Sequence, residues 1–400
     1  MSKAKVPSIR FCGSDNAWEQ RKLTEFVEFF SGLTYTPNDV QDNGTLVLRS
    51  SNVSNGEIVN ADNVYVNPQV VNSENVKVGD IIVVVRNGSR SLIGKHAQIK
   101  AFMPDTVIGA FMTGIRSECP EFTNALLNTP KFEDEIAMNI GATINQITGY
   151  MFSKMEFKVP CLDEQKKIGE YFEKLDRLIT LHQRKYEKLQ SLKASMLEKM
   201  FPKDGADVPE VRFKGFTDAC EQRKAKELFV STADKGYLEL PVLSATQDRG
   251  MIRRDENSIN IFHDKKNEAG YKRVLPGQFV IHLRSFQGGF AHSAIEGITS
   301  PAYTVFGFSE PEKHDSEYWK YVFTSKAFIR RLETVTYGIR DGRSISYDEF
   351  LTLSFVYPSR SEQTAIAQYL DKLSNLITLH QCELEKFQNL KKALLEKMFV

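Results

Sequence analysis

The sequence predicts an α+β protein with two globular α/β domains separated by two long antiparallel helices, arranged as a pseudo-twofold internal repeat. Three observations predict this fold class. Each half of the chain ends in nearly the same helical segment, each half opens with the same short words, and the two middle sections differ. A chain of 400 residues is long enough for two or three domains, each with its own core.

The repeat is found at two different offsets along the chain. Residues 164–201 align without a gap to residues 362–399, an offset of 198, and about 22 of the 38 aligned positions are identical. The opening words Val-Pro, Arg-Phe, Gly and Glu-Gln-Arg-Lys of residues 6–22 recur in residues 208–224 at an offset of 202. Two matches in the same order indicate a duplicated unit whose second middle section is about four residues shorter.

Both repeated segments have the periodicity of a long helix. In the first, Ile168, Leu175, His182, Leu189 and Met196 recur every seven residues, with companions such as Tyr171, Leu178 and Leu192. The second has the same seam at Ile366, Leu373, His380, Phe387 and Leu394. Because one apolar seam cannot be covered by its own helix, we expect the two segments to form an intramolecular antiparallel pair with the two domains at opposite ends.

The middle sections are expected to be mixed α/β. Short apolar runs opened by glycine, at residues 79–85 and 277–283, are typical of buried strands. A loop rich in Arg, Asn, Ser and Gly follows each run, at residues 86–90 and 284–289. Loops that leave strand ends are where binding residues usually lie.

Composition narrows the class of protein without naming it. There is no apolar run long enough to span a membrane and no apolar N-terminal leader, so we expect a cytoplasmic protein with no membrane partner. The five cysteines lie far apart, which disfavours a zinc knuckle and a disulfide framework. The formal net charge of +1 neither supports nor excludes nucleic acid.

Signatures of catalysis and of metal binding are absent from the sequence. No GxGxxG follows a strand, and neither a P-loop nor an HExxH motif occurs. His182 and His380 occupy equivalent seam positions without carboxylate or cysteine neighbours, so we interpret them as structural. We therefore predict no catalytic residue, no metal site and no cofactor in this chain.

The polar loops are the strongest candidates for binding DNA. Arg, Asn, Gln and Ser read base edges in the major groove, and Arg and Lys hold phosphates. The candidate residues are Arg49, Ser50, Asn52, Arg86, Asn87, Ser89, Arg90, Lys95, Asn145, Thr246, Gln247, Arg249, Arg253, Arg284, Ser285, Gln287, Arg340 and Arg343. Such clusters are also ordinary polar loops, and their occurrence in both halves is what raises the DNA interpretation.

Together these features resemble the specificity subunit of type I restriction-modification systems. The resemblance covers essentially the whole chain. Its words are the Pro-x-x-Arg-Phe-x-Gly opening with Glu-Gln-Arg-Lys, Gly79-Asp80-Ile81 ahead of Arg-Asn-Gly-Ser, Gly-Ala-Thr-Ile-Asn at 141–145, and the Glu-Gln-x-x-Ile that begins both helices. The second half departs from the pattern, with Gln278 in place of Asp80 and Gly-Arg-Ser-Ile at 342–345.

The resemblance implies a division into four segments. These are an opening segment with the first target-recognition domain (1–159), a first spacer helix (160–203), a second opening segment with the second target-recognition domain (204–358), and a second spacer helix (359–400). Each recognition domain would read one half of a bipartite, asymmetric site in double-stranded DNA, and the helices would set the gap between the halves.

The resemblance also implies partners. Two methyltransferase subunits would dock on the helices, and translocase-endonuclease subunits would complete the complex. S-adenosylmethionine, ATP and Mg would then lie on those partners. Two other hypotheses stay open: an enzyme with a cryptic active site, and a structural coiled-coil adaptor with two protein-binding domains.

Overall fold

The chain forms two compact units in the computed structural model. The structure describes residues 7–14, 16–140, 145–203, 206–246, 249–256, 265–282, 289–334 and 346–399. Unit 1 comprises Met1–Arg184 and Gln381–Val400, and unit 2 comprises Lys185–His380. Each unit therefore contains the first part of one long helix and the last part of the other.

Unit 1 is a mixed α/β domain with two four-stranded sheets. Its strands are β1 (Glu19–Lys22), β2 (Val27–Ser31), β3 (Val40–Gln41), β4 (Thr45–Leu48), β5 (Val53–Ser54), β6 (Glu57–Ile58), β7 (Val64–Val66), β8 (Ile81–Val84), β9 (His96–Gln98), β10 (Thr106–Ile108), β11 (Met112–Ser117) and β12 (Glu156–Val159). Its helices are α1 (Pro120–Leu127), α2 (Pro130–Asn139), α3 (Gly149–Lys154) and α4 (Leu162–Lys199), the last of which continues into unit 2. The sheet orders are β2-β11-β8-β9 and β10-β4-β7-β3, and β1 pairs with β12.

Unit 2 repeats the central sheet of unit 1. Its strands are β13 (Glu221–Lys224), β14 (Phe229–Thr232), β15 (Leu243–Ala245), β16 (Met251–Arg253), β17 (Lys272–Val274), β18 (Phe279–Ile281), β19 (Phe290–His292), β20 (Gly297–Thr299), β21 (Thr304–Phe308) and β22 (Ser354–Tyr357). Its helices are α5 (Ala225–Leu228), α6 (Ser316–Thr324), α7 (Lys326–Thr334), α8 (Tyr347–Phe350) and α9 (Arg360–Met398), which continues into unit 1. The order β14-β21-β18-β19 matches β2-β11-β8-β9, and β13 pairs with β22 as β1 does with β12.

The glycine-opened runs form the buried strands that the sequence predicts. Every residue of β8 and of β18 is buried. The glycines before them, Gly79 and Gly277, have φ of +94° and +84°, a backbone conformation that side chains with a Cβ rarely adopt. The segments that form β8 and β18 have different sequences, and both enter the strand through a glycine with positive φ.

The long helices pair antiparallel within each unit. In unit 1, Phe172 packs on Phe399, and Asp176 accepts from Lys391 at 2.6 Å, so residue numbers rise along one helix as they fall along the other. In unit 2, Met196 of α4 packs against the core that contains Ile366 and Leu370 of α9. These contacts confirm the predicted α+β class with an antiparallel helix pair.

Burial along the seam is graded. Ile168, Leu175, Ile366 and Leu373 are buried, whereas later seam residues are half-buried. The companions Leu178 and Leu192 are 39% and 37% exposed, so they are not buried with the seam. A single partner helix covers one stripe, and these leucines lie beyond its width.

The repeated opening words are explained by a buried ion pair, which we call the opening lock. Arg10 Nε donates to Glu164 Oε1 at 2.9 Å, and its Nη2 donates to Oε2 at 2.6 Å. Arg212 makes the same two bonds to Glu362, at 2.8 and 2.5 Å. Both carboxylates are 1% exposed. The Arg-Phe word thus fixes the start of each domain to the first turn of each long helix.

The glutamine that follows each carboxylate closes the same junction. Gln165 Nε2 donates to the carbonyl of Pro160 at 2.9 Å, and Gln363 Nε2 donates to that of Pro358 at 2.8 Å. Both amides are buried, where an unsatisfied polar group would cost about 1–3 kcal/mol. The Glu-Gln pair therefore recurs because both side chains hold the beginning of a long helix to the segment before it.

One buried pair of unit 1 is replaced as a pair in unit 2. Arg116 of β11 makes two hydrogen bonds to buried Asp80, at 2.8 and 2.9 Å, and Asp80 also accepts from the N–H of Lys77. In unit 2 Gln278 stands in place of Asp80 and caps the N–H of Leu275 at 2.8 Å. The strand position equivalent to Arg116 is Gly307, by the registers of β8–β11 and β18–β21.

Candidate nucleic-acid interface

The loop after β8 is held in place by two other segments of unit 1. The N–H groups of Val85 and Arg86 both donate to the carbonyl of Phe111, at 3.0 and 3.2 Å. On the other side, the N–H of Asn87 donates to the carbonyl of Asn145, and Asn145 Nδ2 donates to that of Gly88 at 3.1 Å. The loop therefore has a fixed conformation, which is what a base-reading segment needs.

Four of the predicted polar residues come together at this loop. Asn87 Nδ2 donates to Ser50 Oγ at 3.0 Å, and Asn87 Oδ1 accepts from the N–H of Ser89 at 2.9 Å. Asn145 joins them through Gly88. Two contacts, which span 37 and 57 positions of the chain, thus join these residues into one polar surface.

The same segment carries three exposed cations. Arg86, Arg90 and Lys95 are exposed, and among the described residues none of their charged groups has a hydrogen-bond or ion-pair partner. Arg90 and Lys95 line a cleft of about 480 Å³, together with His96 and Asn128. Three unpaired positive charges on one segment are suited to phosphate or base contacts.

His96 lines this cleft, and its burial disfavours the charged form of the ring. Burial lowers the pKa of His96 below its usual value, because a charged imidazole would lose its hydration. Its Nδ1 lies 3.0 Å from the carbonyl of Gly94, and its Nε2 lies 3.1 Å from Asn128 Nδ2. A neutral ring that donates at Nδ1 and accepts at Nε2 satisfies both contacts.

Two predicted residues near this loop are used inside the fold. Asn52 is fully buried: its Oδ1 accepts from the N–H of Arg49, and its Nδ2 donates to the carbonyl of Ala61 at 2.7 Å. We therefore assign Asn52 a structural role. Arg49 donates to the carbonyl of Asp62 at 2.6 Å, so its guanidinium is partly committed as well.

In unit 2 the structure places only some of the candidates. Thr246 closes a turn, accepting from the N–H of Arg249 at 3.1 Å and donating to the carbonyl of Gly250 at 2.8 Å. Arg249 and Arg253 are exposed on the β15–β16 hairpin. The candidates that lie outside the described residues are Gln247, Arg284, Ser285, Gln287, Arg340 and Arg343.

The adjacent basic residues Lys272 and Arg273 of unit 2 have partners within the domain. Lys272 Nζ donates to the carbonyl of Tyr303 at 2.6 Å, and Arg273 is paired with Glu296 and lies over the ring of Tyr237. Their sequence neighbourhood looks like the loops of unit 1, but both charges are occupied. Adjacent basic residues alone therefore do not identify an interface.

Phe111 belongs to the surface and was missed from the sequence. Its ring is 55% exposed, and the guanidinium of Arg86 lies over it, 5.1 Å from the ring centroid. In the sequence Phe111 lies within the apolar run 107–112, so it reads as a core residue. Only the contact with a loop 25 positions earlier reveals its place.

Neither a metal-binding cluster nor a membrane-spanning helix is found in the part of the chain that is described. No group of three or more His, Cys, Asp or Glu there could hold a metal ion. His182 lies 3.9 Å from Glu383 and packs on the ring of Phe387, a local helix-pair contact. None of the helices in the described residues is both long and apolar enough to cross a membrane.

Comparison with known proteins gives related sequences. Residues 16–191 match the family described as type I restriction modification DNA specificity domain. The StySPI type I restriction enzyme specificity subunit of Salmonella potsdam is 28% identical over 189 residues, which cover 45% of this chain and 38% of that protein. The MjaVIII specificity subunit of Methanocaldococcus jannaschii is 26% identical over 277 residues, 64% of each chain. The chain thus matches less than two thirds of the length of either relative.

A solved structure shares the fold. The crystal structure of a type I restriction-modification system S subunit from M. genitalium superposes with a TM-score of 0.62 at 12% identity, and the match covers 99% of both chains. At this identity the likeness concerns the fold alone.

Proposed function

We propose that the chain is the DNA-reading subunit of a type I restriction-modification complex, because residues 16–191 match the family of type I restriction modification DNA specificity domains. Each unit would contribute one recognition domain, and each domain would read one half of a bipartite, asymmetric site in double-stranded DNA. The reading would be done by loops such as residues 86–95 of unit 1. We assign the chain no catalytic residue, and we place it in the cytoplasm with its DNA.

The observation that carries this proposal is a constant frame around variable surfaces. The opening lock and the four-strand order are the same in both units. The loops mounted on that frame differ, since Arg86-Asn87-Gly88 follows β8 whereas β18 runs towards a different sequence. A protein that reads two unlike half-sites needs this combination: equal placement of two readers with unequal side chains.

Exposed leucines recur at matching positions of the two long helices. Leu178, Leu181 and Leu192 of α4 are 39%, 59% and 37% exposed, and their repeat equivalents in α9, at an offset of 198, are 42%, 53% and 40% exposed. Exposed leucines repeated at matching positions fit two copies of one partner. We propose that these partners are two methyltransferase subunits carrying S-adenosylmethionine, and that translocase-endonuclease subunits using ATP and Mg complete the complex.

The decisive experiment maps methylated adenines genome-wide in cells that contain the methyltransferase partner, with and without this chain. A split motif that appears only when the chain is present is the expected result. Exchange of the middle section 23–158 for that of another family member should then change one half of the motif and leave the other half unchanged. A methylation pattern that does not depend on the chain would contradict the proposal.

The dependence of DNA binding on salt concentration distinguishes the adaptor hypothesis from the DNA-reading hypothesis. Contacts to phosphates release counterions, so DNA binding by the purified complex should weaken steeply as ionic strength rises. An adaptor whose domains bind proteins would show no such DNA binding. Transfer of methyl groups by the chain alone, without its partner, would instead support the enzyme hypothesis.

A further inference from the structure

The contact between Arg86 and Phe111 is built as a unit. The backbone of Arg86 donates to the carbonyl of Phe111, and the guanidinium returns over the exposed ring of the same residue. The loop is held from its other side by Asn87 and Asn145. Both side chains are therefore fixed to each other and to the strand ends, although both face solvent.

The guanidinium of Arg86 has its donors available. Among the described residues it has no hydrogen-bond or ion-pair partner, in contrast with Arg116, which is bound to Asp80. A guanidinium that lies on a ring keeps its N–H fork in one plane and at one place. Less freedom is then lost when the fork binds, which favours recognition of a planar pair of acceptors.

The guanidinium of Arg86 and the ring of Phe111 are suited to two neighbouring bases of particular kinds. Arginine donates two parallel hydrogen bonds to O6 and N7 of guanine in the major groove. The only apolar group that an unmodified base pair presents in that groove is the C5 methyl of thymine. A guanidinium and an aromatic ring in contact can therefore engage a guanine and a thymine that are neighbours.

We propose that Phe111 is a specificity-determining residue, and that the Arg86–Phe111 unit reads a guanine next to a thymine through the guanine acceptors and the thymine methyl group. This inference rests on the proposed DNA-reading function and deepens it. It predicts that the half-site read by unit 1 contains such a step. That half-site is the one that changes when the middle section 23–158 is exchanged.

The test removes single functional groups of the DNA bases. Binding of the assembled complex to its site is measured while each thymine of the unit 1 half-site is changed in turn to uracil, which lacks the methyl group. One position should lose about fourfold in affinity, the value expected for one buried methyl group. In the Phe111→Ala complex, thymine and uracil at that position should bind equally.

The neighbouring guanine is tested in the same way with 7-deazaguanine, which lacks the N7 acceptor. The wild-type complex should lose affinity, and the Arg86→Ala complex should be insensitive to the change. Phe102→Ala is the matched control, because Phe102 is a 78% exposed aromatic residue of the same unit and no contact joins it to Arg86. It should keep both the thymine and the guanine discrimination.

Several results would overturn the inference. These are a unit 1 half-site without adjacent guanine and thymine, a wild-type complex indifferent to uracil at every thymine, or a Phe111→Ala complex that keeps the thymine preference. The uracil series on the wild-type complex needs no variant, so a folding defect in Phe111→Ala does not block the test. Failure of the proposed function itself would look different, since the wild-type complex would then show no sequence-specific binding at all.

Discussion

At the scale of single residues, the opening lock shows what the repeated words do. The recurrence of the Arg-Phe and Glu-Gln motifs is visible in the sequence. Their contact is not predictable from it, because 154 positions separate Arg10 from Glu164. The contact depends on the whole first domain folding between them. Residues 86–90 show the same limit, since their residue types predict binding while their geometry depends on Ser50, Phe111 and Asn145 from elsewhere in the chain.

Removing one partner of the lock should destabilise its unit. Arg212→Leu leaves the carboxylate of Glu362, which is 1% exposed, without a counter-charge, and we expect a loss of about 3–5 kcal/mol in the free energy of unfolding of unit 2. Glu362→Gln should cost less, because the remaining Arg212 is 14% exposed and still donates to the carbonyl of Asp218. Chemical denaturation of the assembled complex measures both losses.

The control for this measurement is the exposed pair of Lys313 and Glu310 in the same unit. Lys313→Ala should leave the unfolding midpoint unchanged, because solvent screens such pairs. Equal midpoints for Arg212→Leu and Lys313→Ala would show that the lock contributes nothing to stability.

At the scale of elements, the long helices were the most predictable part of the molecule. Repeated segments 164–201 and 362–399 correspond closely to Leu162–Lys199 and Arg360–Met398. Heptad spacing identifies a helix of this length because the pattern repeats over many turns. It does not identify how much of the apolar surface a partner covers, so it does not predict that the companions Leu178 and Leu192 are exposed.

If the helices act as spacers, their length should set the gap in the recognised DNA. Insertion of one heptad into the 178–192 region, with a matching heptad in the 376–390 region, keeps the seam in register and lengthens the pair by about 10 Å. At about 3.4 Å per base pair, the preferred gap should grow by about three base pairs. Methylation mapping would show the longer gap with both half-sequences unchanged; an unchanged gap would rule out the spacer role.

At the scale of the whole molecule, both units contain histidines that are kept neutral by burial. Burial lowers the pKa of His96 in unit 1 and of His314 in unit 2 below the usual value of 6.5. The unfolded chain binds protons at these residues below about pH 6.5, whereas the folded chain binds them only at a lower pH. Stability should therefore fall as the pH decreases through this value.

The acid sensitivity can be measured as the unfolding temperature between pH 8 and pH 5. Each buried histidine contributes a slope of at most about 1.4 kcal/mol per pH unit. His96→Asn should flatten the acid limb for unit 1 and leave that of unit 2 as it is. A variant with the wild-type slope in both units would mean that His96 does not contribute.

The two middle sections show why fold class is more predictable than sheet topology. They share no long identical segments, yet each forms one four-stranded sheet of the same strand order. Ile81 and Val83 of β8 are buried where Phe279 and Ile281 of β18 are buried, so the requirement is an apolar side chain and not a particular one. A comparison of identical residues therefore does not detect that these strands are equivalent. An apolar run that begins with glycine still predicts each of them.

The replacement of Asp80 and Arg116 by Gln278 and Gly307 constrains the order in which such a change can be acquired. Loss of the arginine first would leave Asp80, which is 1% exposed, as a buried negative charge without its cation. Substitution of the aspartate first leaves an arginine that is 26% exposed and still bound to Glu74. A lineage moving from one pattern to the other one mutation at a time therefore has an easier path through the glutamine, and reconstructed ancestors of this strand pair should contain Gln with Arg more often than Asp with Gly.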